Sequence, residues 1–355
     1  MKNCDEIKVK IGLRELMNFR FCSPVLAIEP LSAPLTGVIH GSPFRALDEV
    51  GNRPIQGCTP CLRRPMLPHA LKRRALNVTK ECRYRLSSSP PEKVFFDHLP
   101  KCGGTTVTRY LTGHYPDRLI FHSCSLMPLE SVERFGRQSE NLRQSYSLIT
   151  GHLVRHLIGL VDPGCLSVTL LRDPIERITS HYFYARSSPQ HYLHEQIHSH
   201  QMTLEDYVSC DLSEELRNWY TTYFTGLSID QAEANPASSV AAALEILSTS
   251  YDMVGTLESF RDFIESLKKR ARLWHTYRGS IRNSTPNRPR TSQLSPATIE
   301  AIQTTNHLDI ALYTAVRNRI AAEANCAAAL PPDWAMHRAS VPPSLNPASE
   351  RRCDR

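Results

Sequence analysis

No stretch of the 355-residue chain approaches the roughly 18 to 20 uninterrupted apolar residues that cross a bilayer as a helix. The nearest candidate, Phe21 to Ile39, is broken by Pro24, Glu29, Pro30 and Pro34, so no integral membrane span is expected. The positive-then-apolar order of a signal peptide is also missing, because Lys2, Asp5, Glu6, Lys8 and Lys10 mix both signs. No internal repeat is present. The nucleoside-triphosphatase loop GxxxxGK[ST] is absent, and no strand ends in an obvious magnesium-binding Asp. Cys58 and Cys61 form a single CxxC without a second pair, which leaves a zinc site without half its ligands. Eleven cysteines, odd in number and scattered through a long chain, do not make a disulfide framework.

What is there suits an ordered domain. With 41% hydrophobic and 22% charged residues the chain can bury one large core or two small ones. The net charge of +7 is confined to residues 1–92, which hold 15 Lys and Arg against 8 Asp and Glu; residues 93–355 hold 27 of each. The first 92 residues also carry ten prolines, basic clusters such as Arg63-Arg64 and Lys72-Arg73-Arg74, and no sustained period of 2 or 3.6. They read as a disordered, basic, Pro-rich segment. Aromatic residues that could stack on bases are sparse there, which argues against a nucleic-acid arm. Residues 93–325 read as the folded domain and 326–355 as an unstructured tail with five prolines.

The pattern changes at Lys93, where Val94-Phe95-Phe96 reads as a buried strand. Short apolar runs follow at Leu119 to Phe121, Tyr146 to Ile149, Leu166 to Leu171 and Met253-Val254, spaced widely enough for crossover helices. Helices are expected over Thr105 to Leu111, Pro174 to Arg186, Ser213 to Phe224, Ala241 to Leu247, Leu257 to Arg272 and Pro296 to Arg319. This alternation predicts an α/β domain, P-loop-like and three-layered, with a central parallel sheet flanked by helices.

Two segments carry chemistry. In the first, Phe95 to Thr106, a strand ends in Lys101, Cys102, Gly103 and Gly104 before Thr105 and Thr106 open a helix. Glycines let backbone N–H groups approach an anion, and the helix N-terminus adds positive potential. The segment reads as a phosphate or sulfate cradle. In the second, Leu166 to Tyr184, Arg172 ends a buried strand and Ser180 lies two turns into the next helix, so both could converge on a second anion. Arg177, five residues on, is expected to point elsewhere.

Together these segments resemble the sulfotransferases, in particular the Golgi carbohydrate branch with heparan sulfate 2-O-sulfotransferase and its bacterial relatives. The first is similar to that family's 5'-phosphosulfate loop (HIPKTGGTS in pattern), and the second to its 3'-phosphate strand and helix (RDPxxRxxSxYxY in pattern). This chain has Leu99 for Ile, Cys102 for Thr, Thr106 for Ser, and His181 where a hydrophobic or aromatic residue is common. Weaker likenesses at Thr150-Gly151-His152, Asn218 to Gly226, Tyr251 to Phe260 and Asn306 to Tyr313 extend the resemblance over about 93 to 320.

The resemblance implies 3'-phosphoadenosine 5'-phosphosulfate as co-substrate, with no metal. It implies that Lys101, Cys102, Gly103, Gly104, Thr105 and Thr106 hold the 5' side and that Arg172 and Ser180 hold the 3'-phosphate. Lys101 would neutralise charge on the leaving oxygen. His152 lines up with the catalytic His of the 2-O-sulfotransferase-like enzymes and is expected to act as general base, with His156 in reserve; His98 fits the pattern as a residue that orients the loop but reads better as a hydrogen-bonded core histidine. Thr150 stands where that branch often carries a further His. Residues 261–290, with nine Lys and Arg against Asp262 and Glu265, occupy the place of the family's nucleotide-covering loop, so Thr285 or Arg288 is expected to touch the nucleotide. The acceptor is expected to be a carbohydrate or other hydroxyl compound, conceivably polyanionic.

Two other functions compete: a nucleotide-dependent phosphotransferase, which needs magnesium, and a non-catalytic polyanion-binding protein. The cysteine pattern fits a reducing cytoplasm, while the sequons at Asn77 and Asn283 keep a Golgi-lumen alternative open.

Overall fold

The structure is a computed structural model that describes residues 69–210, 212–279 and 288–329. Residues 73–355 form one compact unit and residues 1–72 another, of which only the last four are described. The Cys58/Cys61 pair, Thr285, Asn283 and most of both tails therefore lie outside the described residues.

Five strands form one wholly parallel sheet: β1 (Val94–Asp97), β2 (Ile120–His122), β3 (Leu148–Gly151), β4 (Leu166–Leu171) and β5 (Met253–Thr256), in the order β2-β3-β1-β4-β5. The three-layer α/β architecture expected from the sequence is therefore the one observed. All of Val94, Phe95, Phe96 and Asp97 are buried, as a central strand covered on both faces requires. On one face Val94, Phe96, Val168 and Leu170 pack with Val107 and Leu111 of α2 (Gly104–Thr112) and with Phe263 and Leu267 of the helix Phe260–Arg270. On the other, Phe95 and Ile149 meet Phe121 and Phe135, while Leu99 and Leu171 meet Tyr220, Phe224, Leu247 and Leu312.

The chain leaves β1 toward β2 and β3 and then crosses β1 to reach β4. The carboxyl ends of β1, β3 and β4 therefore enclose a switch point, where open α/β sheets place their ligands. The helix that follows β4, Pro174–Ser187, is opened by Asp173, whose carboxylate accepts from the Glu176 amide at 3.1 Å, and by Pro174 in its first turn.

Three boundaries differ from the sequence reading. A helix, α1 (His69–Leu86), lies inside the segment read as disordered. Its inward stripe is polar, so apolar periodicity misses it: Asn77 accepts from the Asp117 amide at 2.9 Å, Lys80 reaches Asp117 at 2.5 Å, and Tyr84 meets Ser147 at 3.0 Å. The expected helix Ser213 to Phe224 starts only at Trp219, because Asn218 sits in the left-handed region at φ 45°. The expected helix Pro296 to Arg319 is two helices, Pro296–Thr305 and His307–Ala329. Asn306 breaks it by donating to the Leu216 carbonyl at 2.9 Å and accepting from the Asn218 amide at 3.2 Å. Among the described residues no helix is long and apolar enough to cross a membrane.

Candidate active site

The loop after β1 is built around two glycines. Gly103 has φ 80°, and a Cβ on it would lie 2.7 Å from Leu257. A Cβ on Gly104 would lie 1.9 Å from the His98 ring. Only glycine lets the backbone take this path. Among the described residues the amides of Lys101, Gly103, Gly104 and Thr105 have no backbone acceptor, while Thr106 donates to the Gly103 carbonyl at 3.0 Å. A run of open N–H groups at the start of α2 is an anion cradle. Thr105 is exposed at its mouth and Thr106 is buried within it.

Cys102 plays a different part from a ligand's hydroxyl partner. Its side chain is buried, with Sγ 3.0 Å from the Tyr220 hydroxyl and 3.3 Å from the Pro100 carbonyl oxygen, and its amide leans on the Leu99 carbonyl at 3.4 Å. It fastens the loop to the core, as Leu99 does.

Lys101 is held at φ 64° with its ammonium 3.6 Å above the Tyr184 ring. Burial and the neighbouring charge of Arg172 lower its pKa to about 8. Arg172, at the end of β4, donates to the Lys101 carbonyl at 3.1 Å and to Glu176 at 2.9 Å. Arg288 comes from far along the chain to the same Glu176 oxygen at 2.6 Å, and the Thr291 amide and hydroxyl hold the other carboxylate oxygen. Ser180 lies one helical turn beyond Glu176 and is buried. The structure thus brings Lys101, Arg172 and Arg288 together, with Glu176 as the hub that sequence reading did not single out. Of the other charges in the basic stretch, Arg270 faces Asp252 and Arg272 faces Glu92.

His152 follows β3. Asp97 of β1 pairs with Gly151 of β3, so the next residues, His98 and His152, leave the sheet side by side with rings 4.4 Å apart. Gly151, at φ 131°, has Ser123 where a Cβ would go, 2.6 Å away. His152 Nδ1 lies 2.8 Å from the His98 carbonyl oxygen. A carbonyl only accepts, so Nδ1 carries the hydrogen and Nε2 keeps its lone pair. Burial holds this imidazole below the usual histidine range, so it is neutral at pH 7. The His98 carbonyl thereby fixes the His152 tautomer. His156 instead packs beside Tyr223, 6.2 Å between ring centres.

Sequence reasoning missed the group whose negative charge this imidazole feels, Glu215, and the histidine that holds it. His181 Nε2 donates to Glu215 Oε2 at 2.9 Å, and its Nδ1 lies 2.7 Å from the Tyr207 hydroxyl. Although burial alone would raise the Glu215 pKa, the bond from His181 and the charge of Arg177 bring it down to about 2. Arg177 does point away from the anion cradle: it is fully buried between Trp219 and Tyr220 and donates to the Glu215 carbonyl at 2.8 Å. No local motif signals Glu215, which reaches the site through a fold of the chain 63 residues after His152.

Fold and site define an α/β protein that binds an anionic ligand over the carboxyl edge of its sheet, beside a neutral histidine. The pattern of the sulfotransferase family matches residues 84–314, and the chain belongs to that family; sulfuryl transfer is its class of reaction. Among solved structures the chain is similar to mouse sulfotransferase SULT7A1 complexed with PAP, at 13% identity, over 65% of this chain and 70% of that one, with a TM-score of 0.32. No curated protein sequence matches it.

Proposed function

We propose that the protein transfers the sulfuryl group of 3'-phosphoadenosine 5'-phosphosulfate to an acceptor hydroxyl, that of a carbohydrate, with His152 as general base. The observation that carries this reading is the convergence, at one switch point, of an anion cradle, three cations and an imidazole with a free Nε2. The open amides of Lys101, Gly103, Gly104 and Thr105 fit the 5'-phosphate, and Arg172, Ser180 and Arg288 fit the 3'-phosphate. Thr285 is proposed as a further nucleotide contact on the resemblance alone.

In-line attack needs a proton removed from the hydroxyl and charge neutralised on the departing bridging oxygen. His152 Nε2 takes the proton, and the resulting imidazolium is steadied by its Nδ1–H bond to the His98 carbonyl and by the charge of Glu215. The Lys101 ammonium, flexible and close to the cradle, meets the charge on the leaving oxygen. The thiols of Cys82, Cys102, Cys124 and Cys165 support a reducing, cytoplasmic setting.

The test is calorimetric titration of the full chain with 3'-phosphoadenosine 5'-phosphate in EDTA. Micromolar binding is expected, weakened at least about tenfold in Lys101→Ala and Arg172→Ala. Binding only of a magnesium nucleoside triphosphate would replace this reading with that of a phosphotransferase.

A further inference from the structure

A continuous run of side chains leads from Lys101 to the surroundings of His152. The Lys101 ammonium rests on the Tyr184 ring. That ring meets His191 edge-on at 5.6 Å, and His191 stacks on Tyr192 at 4.7 Å and meets His181 at 5.2 Å. His181 holds Glu215, whose charge is felt by His152. A hydroxyl that gives its proton to His152 while its oxygen attacks beside Lys101 brings the rest of its molecule onto this wall.

Two properties of the wall distinguish it. Tyr184 and Tyr192 are 42% and 45% exposed, although their neighbours Tyr182 and Tyr207 are buried; two large rings left in water beside a reaction centre are a surface for a flat ligand face. Its charge is also divided: the Lys101 ammonium lies at the Tyr184 end and the Glu215 carboxylate at the end that His152 feels. Glu215 is half-buried and ionised, and His191 is kept neutral at pH 7 because burial and the nearby His181 lower its pKa to about 4. Among the described residues, no Lys or Arg other than Lys101 contacts these side chains.

We propose that Tyr184, His191, Tyr192 and Glu215 form the acceptor subsite, and that they select an uncharged hydroxylated ring, as in a neutral sugar, over a polyanionic one. The rings take the apolar face of the acceptor ring, and Glu215 accepts from one of its hydroxyls. A carboxylate or sulfate on the acceptor meets Glu215 instead, an unpaired like-charge contact of the kind that rejects wrong partners. The inference rests on the sulfuryl-transfer reading and narrows its acceptor.

The experiment saturates the full chain with 3'-phosphoadenosine 5'-phosphate and titrates two matched probes, a tetrasaccharide of N-acetylglucosamine and one in which N-acetylglucosamine alternates with glucuronate. The neutral probe is expected to bind about tenfold more tightly. Glu215→Gln is expected to narrow that ratio to within about threefold with nucleotide affinity unchanged, which a merely structural role for Glu215 does not produce. Tyr192→Ala, at an exposed position, keeps the fold and weakens the neutral probe by about tenfold. The proposal is overturned if the glucuronate probe binds as well as the neutral one. The same holds if neither binds below about 10 mM on nucleotide-loaded protein, or if Glu215→Gln leaves the ratio unmoved. Failure to bind the nucleotide at all strikes instead at the sulfuryl-transfer reading.

Discussion

The proposed donor end of the cleft gathers two arginines, Arg172 and Arg288, on the carboxylate Glu176 with Lys101 nearby, whereas the proposed acceptor end sets a neutral imidazole against the His98 ring and within the field of Glu215. The first end binds by charge and tolerates mobile donors. The second works by orientation: one hydrogen bond, His152 Nδ1–H to the His98 carbonyl, decides which nitrogen is free. Losing a charge at the donor end should therefore cost affinity and rate together, while losing the imidazole should cost rate almost alone.

The largest expected effect follows at the acceptor end. His152→Ala removes the proposed base, and kcat is expected to fall by roughly 10²–10⁴ with 3'-phosphoadenosine 5'-phosphate affinity changed less than about threefold. Single-turnover transfer alongside calorimetry reads both. An equal loss in binding would mean that His152 belongs to the donor end and that the division between the two ends is misplaced.

Lys101→Ala comes next, with a fall of roughly 10²–10³ in kcat, the size seen when one charge-stabilising donor is removed. The pH profile sharpens the assignment. The lysine's depressed pKa means that its charge is lost as pH rises through about 8, so kcat/KM of the wild type should decline above that pH. The histidine must be neutral to act and titrates below 6.5, so the acid limb should lie below neutrality. Lys101→Arg should abolish the alkaline limb and leave the acid limb in place.

Both ends stand on one floor. Asp97 lies beneath the loop, fully buried, accepting from Tyr223 at 2.8 Å and Tyr251 at 2.7 Å. Burial raises its pKa from 3.8 to about 6. Between these values the folded protein holds a proton that the unfolded chain has released, so stability should fall as pH rises from about 4 to 6, by up to about 3 kcal/mol. Asp97→Asn should flatten that part of a melting-temperature profile; an unchanged slope would place the proton elsewhere.

The contrast between the ends also explains what was legible in the sequence. Lys101 to Thr106 are contiguous, and Arg172 and Ser180 sit on one strand and the helix it feeds, so secondary structure alone nearly fixes their geometry. The parallel sheet was readable for the same reason, since its strands are unbroken apolar runs. The acceptor wall is tertiary. Tyr184, His191 and Glu215 come from three segments brought together by the small helices His194–Ser199 and Leu204–Ser209 and by Arg177, whose buried charge holds the Glu215 carbonyl. Asn218 and Asn306 were legible as family likenesses but not as helix breakers, because each breaks a helix through a long-range bond to the other's neighbourhood, which no local pattern encodes.

The smallest expected effect tests the donor end's own logic. Glu176 lies between the two arginines, and its removal could act in two opposite ways: a less negative site attracts an anionic nucleotide, but Arg172 and Arg288 lose the group that aligns them. The geometry favours alignment, because the carboxylate uses one oxygen for both arginines and the other for Thr291, and so ties the Arg288 segment to the helix that carries Ser180. Glu176→Gln keeps the shape and removes the charge. The donor KM is therefore expected to rise about five- to tenfold with kcat nearly unchanged, in line with a weakened charge-assisted hydrogen bond. Glu176→Gln combined with Arg288→Ala should add little to Arg288→Ala alone, since the two act as one unit. Tighter nucleotide binding in Glu176→Gln would reverse the interpretation, making Glu176 a competitor for the arginines that the 3'-phosphate must displace.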